Sequence, residues 1–210
     1  MSTFVDAFRF IGDNAGLLLS KTGEHVELSA ASLGIALVLA LPLGLWLGHR
    51  HRGFFLAAAV SNVGRALPSL VLIAFGLTIF GVGFWNNTAA LVVLAIPPIL
   101  TNAYYGVVGV DRDAVEAARG MGLTDSQVLL QVELPLGLPL ILSGVRIAAI
   151  FVIATATIAA VAGGGGLGEI IVDQASYGLP GVVAASLCVS ALAFLAALLL
   201  TLLRRALSPT

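Results

Sequence analysis

Long charge-free apolar stretches alternate with short polar segments along the chain. Leu28 to Gly48 carries no charged residue, which is enough to cross a hydrocarbon core of about 30 Å at about 1.5 Å per residue. Ala66 to Gly83 is a second, shorter stretch. It follows the apolar segment Gly53 to Gly64, expected to lie in the interface before the chain turns inward at Pro68. Thr88 to Val110 is a third, interrupted by Pro97 and Pro98. The fourth runs from Pro139 to Ala162 and carries Arg146, and the fifth, Gly181 to Leu203, ends at Arg204 and Arg205. The pattern predicts an all-α polytopic membrane protein with five transmembrane helices.

Composition agrees. Of 210 residues, 59% are hydrophobic and 10% charged, where a soluble domain is nearer a quarter charged. The formal net charge of −1 excludes a basic nucleic-acid binder. The single cysteine, Cys188, excludes a disulfide framework. Basic residues in short loops set orientation. Placing the N-terminus outside puts Arg50, Arg52, Arg112, Arg119, Arg204 and Arg205 inside and only Arg9 and Lys21 outside, so N-out, C-in is expected. Arg65 and Arg146 fall toward inner span ends, where they can snorkel. Trp85 at an outer end, and Trp46, Tyr104 and Tyr105 at inner ends, suit interfacial belts. Residues 1–27 form an external amphipathic segment with Phe4, Phe8 and Ile11 on one helical face, and Asp6, Arg9 and Asp13 deny it a signal-peptide core. Residues 28–205 form the transmembrane domain, and 206–210 an inner tail.

Most of the remaining polarity sits between Val110 and Arg146. Asp113 and Glu116 have capping-box spacing and predict a short helix over Ala114, Ala117 and Ala118 that Gly120 and Gly122 end. Thr124 with Gln127 repeats the signal, and the second helix is expected to run to Pro135, with Pro139 opening the fourth span. Residues 111–135 thus form a helix–turn–helix on the inner surface, far longer than a connection needs. Two roles fit the pattern: a solvated hairpin packing on its own protein, or a handle for a partner.

The run Glu116-Ala117-Ala118-x-x-Met121-Gly122, with Gln127, Leu134-Pro135, Pro139 and Gly144-x-Arg146, resembles the EAA signature of ABC-importer permeases of the type I fold. The resemblance implies that the hairpin docks in a groove of a cytoplasmic ATPase subunit through Glu116, Ala117, Ala118 and Gly122, with Arg119, Met121 and Gln127 beside them. It also implies a second permease subunit, identical or related, an extracytoplasmic solute-binding protein, and a bacterial inner or plasma membrane location. The chain is then a non-catalytic subunit without a cofactor, since the partner binds ATP. Arg65-Ala66-Leu67-Pro68-Ser69-Leu70, Ile96-Pro97-Pro98-Ile99-Leu100-Thr101-Asn102 and Gly163-Gly164-Gly165-Gly166-Leu167-Gly168-Glu169 are similar to permeases for glycine betaine, choline, carnitine or proline. Methionine-importer permeases share the plan. A self-contained channel or secondary carrier is the alternative of another class.

Other candidate chemistry is thin. Gly163-x-Gly165-x-x-Gly168 lacks the βαβ setting of a dinucleotide site and is expected to be a flexible turn before a short outer helix. On that helix Glu169 and Asp173 share a face, offering either a solvated end or contacts for the binding protein. His25, His49 and His51 lie near span ends as polar groups rather than metal ligands. No carboxylate is expected deep in a span, against a proton-coupled carrier. Pro97 and Pro98 free backbone carbonyls, and with Asn102 they are the expected lining of the path.

Overall fold

A computed structural model describes residues 2–207, and of these the side chains of Ser2, Val63 and Arg65 are set aside. The snorkelling of Arg65 and the last three residues of the predicted tail therefore lie outside the described residues. The chain forms ten α-helices among the described residues: α1 (Ser2–Asp13), α2 (Ala15–His49), α3 (Phe54–Ala66), α4 (Ser69–Phe80), α5 (Phe84–Val108), α6 (Arg112–Gly120), α7 (Asp125–Val128), α8 (Leu134–Ala159), α9 (Leu167–Val172) and α10 (Gln174–Leu207). A π-helical turn (Leu129–Glu133) joins α7 to α8, and a 3-10 turn (Ala160–Ala162) follows α8. Four units are long and apolar enough to cross a membrane: Ala15–His49, Phe84–Val108, Asp125–Ala162 and Gln174–Leu207.

Three sequence expectations are corrected here. The first long helix begins at Ala15, not near Leu28, because the polar turns before Leu28 are held by partners. Leu18 packs with Leu167 and Ile170 of α9, and Lys21 pairs with Glu24 and Glu169. At 35 residues the helix is about 52 Å long, so it overhangs a core of about 30 Å. The second predicted span, Ala66 to Gly83, holds a helix too short to cross alone. Pro68 sits extended (φ −65°, ψ 126°) before α4, and Gly81 (φ 72°) ends α4 after only 12 residues. Tyr104, expected at an interface, is buried in the core instead.

The centre is α5. It is the most enclosed of the long helices, 61% buried over its apolar window against 17% for α10. Its core partners are Leu28, Ala36, Ala40 and Leu47 of α2 and Ala148, Val152 and Ala156 of α8. Glycines allow this proximity. A Cβ at Gly44 would lie 2.7 Å from both Ala103 Cβ and the Leu100 carbonyl oxygen, and one at Gly48 would lie 2.9 Å from the Tyr104 oxygen. On the other side a Cβ at Gly137 would meet the Gly106 carbonyl oxygen at 2.5 Å, and one at Gly144 would meet the Pro98 oxygen at 2.6 Å. Helix α1 packs on α10 through Phe10, whose ring lies over Gly181. Phe4 and Phe8 point outward, while Ile11 joins the cluster beneath α9 and α10, so the predicted apolar face divides between lipid and protein.

A test lies within α2. Gly44→Ala places a methyl group against α5 and is expected to destabilise the protein by about 1–3 kcal/mol. Gly34, with nothing within 4 Å of its would-be Cβ, is the control: Gly34→Ala is expected to stabilise by roughly 0.5–1 kcal/mol. Thermal unfolding in detergent separates the two directions.

Candidate functional site

The hairpin begins one residue beyond a turn that closes α5, where the Val110 N–H donates to the Val107 carbonyl (3.2 Å). The cap of α6 is Asp111, not Asp113: its Oδ1 accepts from the Asp113 N–H (2.9 Å). Asp111 wins because it leaves Asp113 in the first turn, beside the positive end of the helix dipole. The second signal holds as expected. The Thr124 N–H donates to Gln127 Oε1 (2.8 Å) and the Gln127 N–H donates to Thr124 Oγ1 (3.4 Å), closing a capping box.

The seven expected docking residues are brought together, but they do not share one face. Glu116, Ala117, Arg119, Met121 and Gly122 are exposed, Met121 at 76%. Ala118 turns inward at 2% exposure, so it belongs to the packing of the hairpin and not to its outer surface. Gln127 is exposed, with its carboxamide committed to the cap. Arg119 and Asp125 pair loosely across the turn at 3.7 Å.

The second hairpin helix does not stop at Pro135. Helix α7, the π turn and α8 form one continuous helical unit from Asp125 into the 3-10 turn at Ala162. The Leu134 N–H donates to the Leu129 carbonyl across the wider turn. A π turn relieves the clash a proline imposes on the preceding turn, and it lets Pro135 sit inside the helix. Glu133 lies at the end of that turn, 2% exposed, and its Oε2 accepts from His49 Nδ1 at 2.6 Å. The sequence read His49 as a surface group and foresaw no buried carboxylate. The two residues are 84 positions apart, and no local pattern links them.

Pro97, Pro98 and Asn102 line one cavity of about 170 Å³ with Ser61, Thr101 and Phe151. Prolines at 97 and 98 withhold the N–H groups that would serve the carbonyls of Val93 and Leu94. Asn102 Nδ2 donates to the Pro98 carbonyl at 2.8 Å, and Gly144 of α8 packs on both residues.

At the other end of the bundle the glycine turn is fixed rather than flexible. Gly166 adopts φ +74° over His25, and its N–H donates to Glu24 Oε2 at 2.9 Å. Lys21 bridges Glu24 and Glu169. Asp173 follows α9, and its Oδ1 accepts from the Ser176 N–H (3.2 Å). Lys21 and Glu24 precede the charge-free stretch 28–48, outside the membrane-spanning segment. The Gly166 N–H and then Lys21 hold the Glu24 carboxyl below its usual range, while Glu169 foremost raises the Lys21 ammonium. Asn86-Asn87-Thr88, a formal glycosylation sequon, is buried. Asn87 Nδ2 there donates to the carbonyls of Gly83 and Ala162 (2.8 and 3.1 Å).

Long apolar helices packed around the enclosed α5, with a polar hairpin at one end, make the helical bundle of a membrane protein. Its fold matches an inward-facing structure of the MetNI methionine ABC transporter at a TM-score of 0.79, with 24% identity over 93% of this chain and 98% of that one. The chain belongs to the binding-protein-dependent transport system inner membrane component family, which matches residues 40–209. It is 38% identical to the glycine betaine/carnitine/choline transport system permease protein OpuCB of Bacillus subtilis (strain 168), over 77% of this chain and 75% of that one. It is 31% identical to the choline transport system permease protein OpuBD of the same organism, over 100% and 93%. Its identity to the osmoprotectant import permease protein OsmW of Salmonella typhimurium is 33%, over 82% of each.

The depressed Glu24 carboxyl carries a signed pH dependence. Its hold on Gly166 is complete above the ordinary carboxylate range and is lost as pH falls through its lowered value. Glu24→Ala is expected to reduce the amide-exchange protection of Gly166 about tenfold at neutral pH. Wild type is expected to lose the same protection only under acid.

Proposed function

We propose that this chain is the membrane-spanning subunit of an ATP-driven importer of quaternary-ammonium osmoprotectants of the glycine betaine, choline and carnitine type. The observation that carries the proposal is the continuity of the hairpin with α8: a polar handle runs into a helix that packs on α5 at Pro98 and Asn102. Full-length similarity to permeases named for these solutes supports the choice of substrate.

In this scheme the N-terminus is outside and the C-terminus inside. Helices α3 and α4 together complete a fifth crossing, because α4 alone, at about 18 Å, is too short for one. Two such subunits, identical or related, enclose a path along a two-fold axis, with Pro97, Pro98 and Asn102 on its wall. Glu116, Ala117, Arg119, Met121 and Gly122 dock a cytoplasmic ATPase subunit. That subunit binds and hydrolyses ATP, so this chain performs no chemistry and needs no cofactor. A solute-binding protein delivers the solute to the outer face. There the exposed Asp173 offers an acidic contact, while Glu169 remains committed to Lys21. Selectivity for a methylated ammonium rests with that protein, where aromatic rings can supply cation–π attraction.

Glu116→Lys tests the docking role. Uptake of labelled glycine betaine into proteoliposomes is expected to fall about tenfold or more with membrane insertion intact, and normal uptake would remove the role. Orientation is tested in a Cys188→Ser background with His51→Cys and Arg205→Cys. Both positions are expected to react with an impermeant maleimide only after permeabilisation, and labelling of either in intact cells would reverse the orientation.

A further inference from the structure

We infer that His49 and Glu133 form a joint that makes the hairpin move as one body with α2, and that they are positioning residues for energy coupling. The inference rests on the coupling role proposed above for the hairpin.

The hairpin leaves the bundle through the turn after α5 and returns through the π turn before α8. The first root is a turn and the second a continuous helix, so the hairpin is tied covalently to α5 and α8 but not to α2. The Glu133–His49 contact ties the returning root to the last residue of α2, across 84 positions of sequence. With that tie closed, α2 follows the hairpin together with α8.

The π turn acquires a physical role in this arrangement. One extra residue in a helical turn advances everything after it by about 100° around the axis. Leu130 and Gln131 face outward while Glu133, the last residue of the turn, faces inward and meets His49 of α2. Helical turns of this kind recur at functional positions. A carboxylate at 2% exposure is expensive to desolvate. The 2.6 Å bond to His49 compensates only while it stays formed, so the contact behaves as closed rather than as a soft spring.

What lies behind the joint carries the motion inward. One residue before His49, Gly48 packs on Val107 and on the Tyr104 carbonyl of α5. One turn beyond Glu133, Gly137 packs on the backbone of Gly106. A force on the hairpin therefore enters α2, α5 and α8 at the same level.

Spin labels read this directly, independent of solute identity. Ser126 is exposed and Trp46 is 55% exposed, so Ser126→Cys and Trp46→Cys, with Cys188→Ser, place one label on the hairpin, away from its docking residues, and one on α2. In the complex purified with its ATPase subunits, their distance is expected to be narrow and unchanged by ATP with vanadate. Glu133→Ala and His49→Ala are expected to broaden the distribution to about twice its width or more, since removing one member of a buried pair opens the contact. Labelled glycine betaine uptake is expected to fall about tenfold while ATP hydrolysis continues. The exchange His49→Glu with Glu133→His is expected to recover the narrow distribution. Gly44→Ala, destabilised elsewhere in α2, is expected to keep it, which separates a joint from a general loss of stability. Narrow distributions in both alanine variants, a wild-type distance that changes with nucleotide, or unchanged uptake would each overturn the joint. If ATPase subunits fail to copurify, the docking role of the hairpin falls instead, and the comparison of widths in the permease alone still decides the joint.

Discussion

The structure depends on how closely α5 approaches the two helices beside it. Inside a bilayer, lipid tails are as apolar as leucine, so helices gain little from hiding apolar surface from one another and associate through tight packing and polar contacts. Here Gly44 and Gly48 of α2 lie against one side of α5, and Gly137 and Gly144 of α8 against the other. Four side chains reduced to hydrogen let three backbones meet, and the dispersion gained over that length holds the centre of the bundle. Because α5 is clamped from both sides, it carries Pro97 and Pro98 inside one continuous helix instead of unravelling there. The cavity lined by Pro97, Pro98 and Asn102 lies beside those prolines.

The polar contacts are arranged around the same helix, α2, and sit at its two ends. At one end Lys21 and Glu24 hold α9 and the glycine turn through Glu169 and the Gly166 N–H, with His25 Nε2 against the Ile153 carbonyl at 3.0 Å. At the other, His49 holds the π turn through Glu133. From Leu28 to Gly48 the helix is charge-free. The apolar middle carries the membrane crossing, and the polar ends fix how the elements outside it are oriented. Helix α2 is therefore the spine to which both extramembrane regions are stapled.

What the sequence made legible follows from what each signal encodes. The charge-free runs, the hairpin and its Thr124–Gln127 box were readable because hydropathy and capping are local. The residues that the resemblance implies for docking do lie together on the hairpin, although the inward turn of Ala118 was not foreseen, since a three-alanine face does not say which alanine meets the next helix. Asp111 was missed as the cap because Asp113 offered an equally good spacing to Glu116. Pro135 was read as a helix end because proline usually ends one, and the π turn that absorbs it leaves no compositional trace. The polar turns before Leu28 looked extramembrane and so outside the span helix, yet their partners, Glu169 and Gly166, lie more than 140 residues away. The Glu133–His49 contact belongs to the same class: long-range pairing between charged residues is a property of the fold, invisible to any window of sequence.

The geometry also explains why a hairpin at one end of the bundle can concern a cavity in its middle. Two successive contacts join α8 to α5, Gly137 on Gly106 and, seven residues further, Gly144 on Pro98 and Asn102. Seven residues are about two helical turns, so both contacts lie on one stripe of α8. The helix is continuous from the hairpin through both. A tilt of α8 about the first contact must therefore lift or press the second, and the second borders the cavity beside Pro97 and Pro98. Methyl groups in place of the glycines would lie 2.5 Å from the Gly106 oxygen and 2.6 Å from the Pro98 oxygen, so the helices would have to part before they could lever one another. The residues that let the bundle hold together in lipid are thus the same ones that make a displacement at the hairpin felt at Asn102.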